Sequence, residues 1–195
     1  MRDRMGPLET RRHVQFTPEE FYRLDEQAML PKFSELVDGE IIEMPDRWMP
    51  EVHAVQTIAA SLGELWHDSS LVCRSLTYAF ASGWHPMPDV TVFDRRPPRH
   101  PREGPYPEPR LIVEVADQDL DYDLGEKAGR YAVEGVVDYW VADVNDRVLH
   151  VFREPDAGGF RSRDQVEPGD RVSPLCLPGS SLAVADLLPG LKSKP

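Results

Sequence analysis

Two acids and one lysine have the types and spacing suited to chemistry. Asp89 opens the run Pro88-Asp89-Val90-Thr91-Val92-Phe93, and Glu114 lies inside Leu111-Ile112-Val113-Glu114-Val115-Ala116. Lys127 lies on the helical stretch that follows. An unpaired carboxylate buried in an apolar run costs several kcal/mol, so Glu114 calls for a partner. The plain alternative is a strand-end carboxylate that reaches solvent or forms an internal ion pair. Asp89, at the start of a neighbouring apolar run, favours the first reading. Two carboxylates that meet across adjacent strands make an oxygen-rich site suited to magnesium or manganese.

Lys127 stands out by composition. Of 22 basic residues only Lys32, Lys127, Lys192 and Lys194 are lysines, and the last two lie in the final four positions. A compact ammonium suits the task of orienting or polarising a nucleophile. On a helical wheel Leu124, Ala128, Tyr131 and Ala132 form the sheet-facing stripe, with Lys127 about 70° from its centre. The competing reading is a solvated lysine paired with Asp123 one turn earlier.

The elements that must position these residues are legible in turn. Residues 1–16 read as a loose, arginine-rich arm. Thr17-Pro18-Glu19-Glu20 is a capping-box helix start, and the helix is expected to end near Glu26. Phe33 to Met44 contains Asp38-Gly39 between β-prone arms, the mark of a short hairpin that carries Glu35, Glu40 and Glu43. From Glu51 to Trp66 apolar residues recur at helical spacing. Leu71 to Ala81 reads as a strand leading to a turn at Ser82-Gly83, with His85 just before the Asp89 strand.

The runs from Val90 and Leu111 read as strands buried on both faces, with Ile112, Glu114 and Ala116 on one side and Leu111, Val113 and Val115 on the other. Eight prolines from Pro86 to Pro109, six of them between these two runs, accompany Arg95, Arg96, Arg99 and Arg102. Such a segment is stiff and presents its charges, so it is the candidate phosphate-contacting surface, or else a solvated loop. Val137 to Val144 and Arg147 to Arg153 read as strands about a turn at Asn145-Asp146. The Tyr139-Trp140 pair packs toward both faces. A turn at Pro155 to Gly159 precedes short strands, and Leu175 to Leu188 is expected to close the edge of the fold.

The ordered set "PDVTVF", "PRLIVEVADQDLDYDLGEKAGRYAVEGVVDYWVADV" and "LCLPGSSLAVADLLPG", with "TPEEFYRLDE…FSELVDGEIIEM" and "EVHAVQTIAASLGELW" upstream, resembles the Uma-two-type putative restriction endonucleases. These belong to the PD-(D/E)XK nuclease superfamily, and the resemblance spans roughly residues 17 to 190. It implies an α/β fold with a restriction-endonuclease-like mixed central sheet flanked by helices, elaborated by an N-terminal helix and β-hairpin. It implies one domain over 17–190, with 191–195 as a tail. By resemblance, Asp89 and Glu114 with the Val115 carbonyl bind Mg2+ or Mn2+, and the activity is hydrolysis of DNA phosphodiester bonds. The superfamily lysine usually lies two residues past the glutamate, where this chain has Ala116, so its role is implied to move to Lys127. Glu40 matches the family's Asp-Gly-Glu element, and His53 takes an auxiliary proton-handling place. Both have a plainer reading as solvated side chains.

Composition bounds these readings. The 195 residues are 41% hydrophobic and 29% charged, with a formal net charge of −12 and a pI near 4.9. The length suffices for a sizeable core. No apolar run nears the ~20 residues of a membrane span and the N-terminus lacks a signal-peptide core, so a cytoplasmic protein is expected. Cys73 and Cys176 are read as buried free thiols. The acidic balance excludes a broad basic footprint for nucleic acid, so DNA is expected as a weakly bound or narrowly targeted partner. A homodimer is a possible assembly, although it would double that repulsion. The alternative function is a catalytically inactive nuclease-fold module that binds a protein partner through its acidic surface.

Overall fold

The structure is a computed structural model that describes residues 14–68, 71–98 and 100–188, with the side chain of Arg102 outside the description. The expected tail, most of the expected arm and Arg99 lie outside the described residues. Helix α1 (Pro18–Glu26) begins with the capping box read from sequence. The Thr17 hydroxyl oxygen accepts from the Glu20 N–H at 3.3 Å, and the Glu20 carboxylate accepts from the Thr17 N–H at 2.9 Å. Strands β1 (Ser34–Val37) and β2 (Glu40–Glu43) form the hairpin. Positive φ at Asp38 (52°) and Gly39 (82°) gives the turn the hand that matches strand twist. At the end of the arm, the Phe16 N–H bonds Gly39 O, so the chain enters the fold against this hairpin.

The central sheet has six strands in the order β3 (Val72–Arg74), β4 (Val90–Val92), β5 (Leu111–Ala116), β6 (Asp138–Asp143), β7 (Val148–Asp156) and β8 (Gly159–Val166). β5 and β6 are parallel and every other neighbouring pair is antiparallel. This is the expected mixed sheet flanked by helices. All residues of β4, β5 and β6 are buried, which explains their near-continuous apolar runs. One face packs Leu111, Val113, Val115 and Trp140 against helix α2 (Met49–Trp66). The other packs Ile112, Ala116, Tyr139 and Val141 against Ala128, Tyr131 and Ala132 of the β5–β6 crossover.

That crossover is helical but not uniform. Helix α3 (Leu120–Tyr122) and helix α4 (Ala128–Val133) flank a π turn over Asp123–Lys127. The wider turn admits an extra residue and shifts the stripe that faces the sheet. Lys127, expected at the edge of the buried face, is 3% exposed and lies with Ala128 and Tyr131.

Three other elements differ from the sequence reading. The strand expected over Leu71 to Ala81 pairs only over Val72–Arg74, because Ser75 takes φ 48° and turns the chain off the sheet. The segment beyond still buries Tyr78 and Phe80, so its apolar residues follow packing and not strand pairing. β8 is longer than expected and largely polar, since an edge strand needs only the β7 backbone as partner. The C-terminal stretch, expected to close an edge, covers a face instead. Strands β9 (Arg171–Val172) and β10 (Leu182–Ala183) pair with each other, and helix α5 (Val184–Leu187) buries Val184 and Leu187 in the α2 core.

Both cysteines are free, but Cys73 is half-buried and Cys176 is exposed, where both were expected to be buried. Among the described residues no helix is long and apolar enough to cross a membrane.

Ile58 is fully buried between α2 and the sheet. Ile58→Ala is expected to cost about 2–5 kcal/mol through lost transfer energy and a residual cavity. Val133→Ala, on the exposed face of α4, is expected to stay within about 0.5 kcal/mol. Urea denaturation of the two variants checks both.

Candidate active site

Asp89 directly precedes β4 and lies opposite Glu114 of β5, since β4 pairs antiparallel to β5 with Val90 against Val113. The backbones join the two acids. The Val115 N–H donates to Asp89 Oδ2 at 2.7 Å, and the Asp89 N–H donates to Glu114 Oε2 at 3.4 Å. Lys127 reaches over from the π turn, its Nζ 2.8 Å from Glu114 Oε1. The Tyr131 hydroxyl donates to the same oxygen at 2.7 Å. Glu114 Oε1 thus carries two strong donors, while Oε2 is the less committed oxygen.

Further groups complete the cluster. Glu35 Oε1 lies 3.6 Å from Lys127 Nζ and accepts the Met87 N–H at 3.1 Å. Asp123 Oδ1 lies 3.8 Å from the same ammonium, the i−4 pair read from sequence, but buried and not solvated. Arg47, on the loop before α2, pairs with Asp89 Oδ1. The group surrounds a cavity of about 50 Å³ lined by Glu35, Arg47, Glu51, Asp89, Glu114, Val115, Asp119, Asp123 and Lys127 among others. Acids outnumber bases in that lining.

The electrostatics follow from burial. Burial, reinforced by the neighbouring Glu114 charge, pushes Asp89 from its ordinary 3.8 up to about 7 against the pull of Arg47 and Lys127. Burial likewise raises Asp123 to about 8, opposed by Lys127. Burial alone would lower the Lys127 ammonium, but Glu114, Glu35 and Asp123 outweigh it and hold the group well above its usual range. The lysine therefore stays charged at any working pH. It can donate hydrogen bonds and neutralise negative charge, but it cannot serve as a general base.

The structure brings together Asp89, Glu114, Val115 and Lys127, and leaves the other sequence candidates apart. Glu40 is exposed on β2 and His53 is exposed in the first turn of α2, and neither lines the cavity. Arg95 and Arg96 are exposed on the proline-rich loop. That loop leaves β4 at Phe93, four residues and about 13 Å along the strand from Asp89. It is also more packed than a free extended loop, since Pro107 and Pro109 are buried and Pro107 O accepts from the Tyr78 hydroxyl at 3.2 Å. His85 is withdrawn from the site and bonds the Tyr22 hydroxyl through Nδ1 at 2.7 Å, its imidazole lowered to about 4 by burial.

Sequence reasoning passed over Glu35, Arg47 and Tyr131. Glu35 carried the same signal as Glu114, an acid inside the apolar strand Ser-Glu-Leu-Val. Tyr131 was read as packing alone, and nothing local marked Arg47.

A hard divalent cation suits this donor set by charge and ligand type. The raised Asp89 and Asp123 show a site that retains protons where an added positive charge would replace them. Among the described residues no group of three or more His, Cys, Asp or Glu side chains is arranged to hold an ion. The acids fit magnesium or manganese, which bind through one or two carboxylates and keep several waters, better than a metal that demands a full protein cage.

Comparison with known proteins adds two findings. A family model described as Uma2, putative restriction endonuclease, matches residues 18–185. The fold is similar to a crystal structure titled as a putative nuclease belonging to DUF820 from Anabaena variabilis ATCC 29413. The TM-score is 0.64 at 19% identity, over 85% of this chain and 96% of that one. A search of curated proteins gave no match.

The raised acids set a pH dependence. Asp89 and Asp123 hold protons in the folded chain that the unfolded chain releases near 3.8. Their contribution to stability is fully present below that value and is lost as pH rises through about 7 and 8. Urea midpoints of the metal-free protein are expected to fall as pH rises from about 6.5 to about 8, above the range in which His85 charges, and to level off beyond it. Asp123→Asn is expected to flatten the alkaline end of that fall, and a flat wild-type profile would count against the shifts.

Proposed function

The chain belongs to the Uma2 family of putative restriction endonucleases, and on that premise we propose that it is a divalent-metal-dependent endonuclease that hydrolyses phosphodiester bonds in DNA. The observation that carries the reading is the buried contact of Lys127 Nζ with Glu114 Oε1, beside Asp89 on the adjacent strand. A structural core has little use for a cluster of acids around one ammonium, because replacing buried ion pairs with apolar residues is often neutral or stabilising.

In this reading Asp89 and Glu114, with the Val115 carbonyl, would hold Mg2+ or Mn2+. When bound, such an ion polarises the phosphate and lowers the pKa of water. Lys127 directs its ammonium at the attacking water or at the developing charge on phosphorus-bound oxygen. Glu35, Asp123 and Glu114 hold that ammonium in place and keep it protonated. Tyr131 fixes the Glu114 carboxylate so that Oε1 stays with the lysine. Arg95 and Arg96 contact phosphates outside the site. The distance of about 13 Å from Asp89 to the start of their loop is close to the ~12 Å width of a major groove.

Purified protein is expected to nick or cut DNA only with Mg2+ or Mn2+, and Glu114→Gln to abolish cleavage. Calorimetric titration is expected to show Mn2+ binding by wild type and none by Asp89→Asn/Glu114→Gln. Equal binding by both proteins would move the ion elsewhere. Lys127→Ala is expected to keep the ion and lose about 10²–10³ in rate, as for removal of one transition-state donor. Lys127→Arg is also expected to be damaged, because a planar fork does not fit a compact ammonium site. Wild-type rates in Lys127→Ala at saturating metal would falsify the role.

A further inference from the structure

Arg47 is a cation at the site to which the catalytic reading gives no task. It lies on the loop between β2 and α2, and its two terminal nitrogens have different partners. Nη1 donates to Ser75 Oγ at 2.9 Å, and Nη2 pairs with Asp89 Oδ1. The guanidinium also lies over the Phe33 ring, 5.2 Å from its centroid. The Arg47 side chain is 22% exposed while that of Asp89 is 5% exposed, so the arginine links a buried acid to the mouth of the cavity.

The two oxygens of Asp89 are not equivalent. Oδ2 accepts the Val115 N–H, and removing it would leave a buried donor of the central strand unsatisfied. Oδ1 is approached by a side chain from a loop instead. A divalent cation that takes Asp89 meets Arg47 at Oδ1, and two positive charges on one oxygen repel strongly in a buried setting. Arg47 must then let go of Asp89. The Nη1 bond to Ser75 and the contact of the guanidinium with Phe33 hold the fork at the mouth, so the freed Nη2 stays beside the site. A guanidinium there matches the paired oxygens of a phosphodiester.

We propose that Arg47 is an exchangeable counter-ion, neutralising Asp89 in the metal-free protein and passing to a phosphate of the nucleic-acid substrate when a divalent cation takes Asp89 Oδ1. This rests on the metal-site reading above. Metal and phosphate each compete with the Arg47–Asp89 pair, so each strengthens binding of the other. A chain of net charge −12 thereby presents a positive fork to its anionic substrate when the ion is in place.

The test pairs two binding measurements on the full chain, Mn2+ titration calorimetry and duplex binding as a function of salt in Ca2+, which takes similar oxygen ligands. Arg47→Gln is expected to bind Mn2+ about tenfold more tightly, because the competing positive charge is gone. It is expected to bind the duplex more weakly, with the salt slope reduced by about one unit. These opposite signs separate exchange from a structural role, which would weaken both. Arg47→Met, which keeps an unbranched apolar side chain beside Phe33 and removes the charge, carries the same expectations should Arg47→Gln not fold. Unchanged or weaker Mn2+ affinity overturns the exchange, and an unchanged salt slope overturns the transfer to phosphate. If neither wild type nor Arg47→Gln binds Mn2+, or if Glu114→Gln binds it as wild type does, the metal-site reading falls and takes the exchange with it. An intact Mn2+ site with an indifferent Arg47 overturns the exchange alone.

Discussion

The ammonium of Lys127 is the charge around which the site is held together. Glu35, Glu114 and Asp123 all approach it, and all three are buried. Without that cation the acids would repel one another in a medium that screens poorly, and each would also bear its own cost of leaving water. With it, the cluster keeps a residual excess of negative charge, which the raised Asp89 and Asp123 express as retained protons. On the proposed reading, a site in that state exchanges protons for a metal ion. The same interaction limits the lysine to a charged donor, since its neighbours oppose deprotonation more strongly than burial favours it.

Several separate parts of the chain must be in place for the cluster to exist. β4 and β5 set Asp89 against Glu114 through backbone hydrogen bonds, which are the least adjustable contacts in the molecule. The π turn delivers Lys127 to the sheet face that Tyr131 also occupies. The hairpin lies outside the six-stranded sheet, yet its Leu36 bridges His85 in both directions and its Glu35 accepts from Met87. The buried Tyr22–His85 bond ties α1 to the same bridge. The N-terminal helix and hairpin are therefore not peripheral additions, because they bring the third acid to the lysine and anchor the segment that leads into Asp89.

The acidity of the whole chain and the acidity of the site have different consequences. Overall charge opposes any close approach of DNA, and it makes tight nonspecific binding a poor description of this family member. The local excess of carboxylates, in contrast, is what the proposed reading uses to hold a divalent ion, whose charge would reverse the local sign of the field. Arg95 and Arg96 are exposed at the far end of β4, and Arg47 is held inward. On the proposed nuclease reading, nucleic acid is oriented by particular contacts such as these and not by a general basic surface.

How much of this was legible in the sequence depended on whether the signal was local. The capping box at Thr17, the turn at Asp38-Gly39, the apolar runs of β4, β5 and β6 and the alternation around Glu114 are set by bonding within a few residues, so the sequence alone determined them. Asp89, Glu114 and Lys127 were legible for the same reason, as an acid after proline, an acid in an apolar strand and an isolated lysine. Burial of Lys127 was not, because a wheel drawn at 3.6 residues per turn cannot show the extra residue of a π turn. The break at Ser75 and the long polar edge of β8 were set by what the neighbouring strand offered. Only the tertiary structure chose Glu35 over Glu40 and brought Arg47 to Asp89. Adjacent strands, loops and helices carry many ionisable residues of similar local character, and which of them share a buried cavity is decided by packing between segments far apart in the chain.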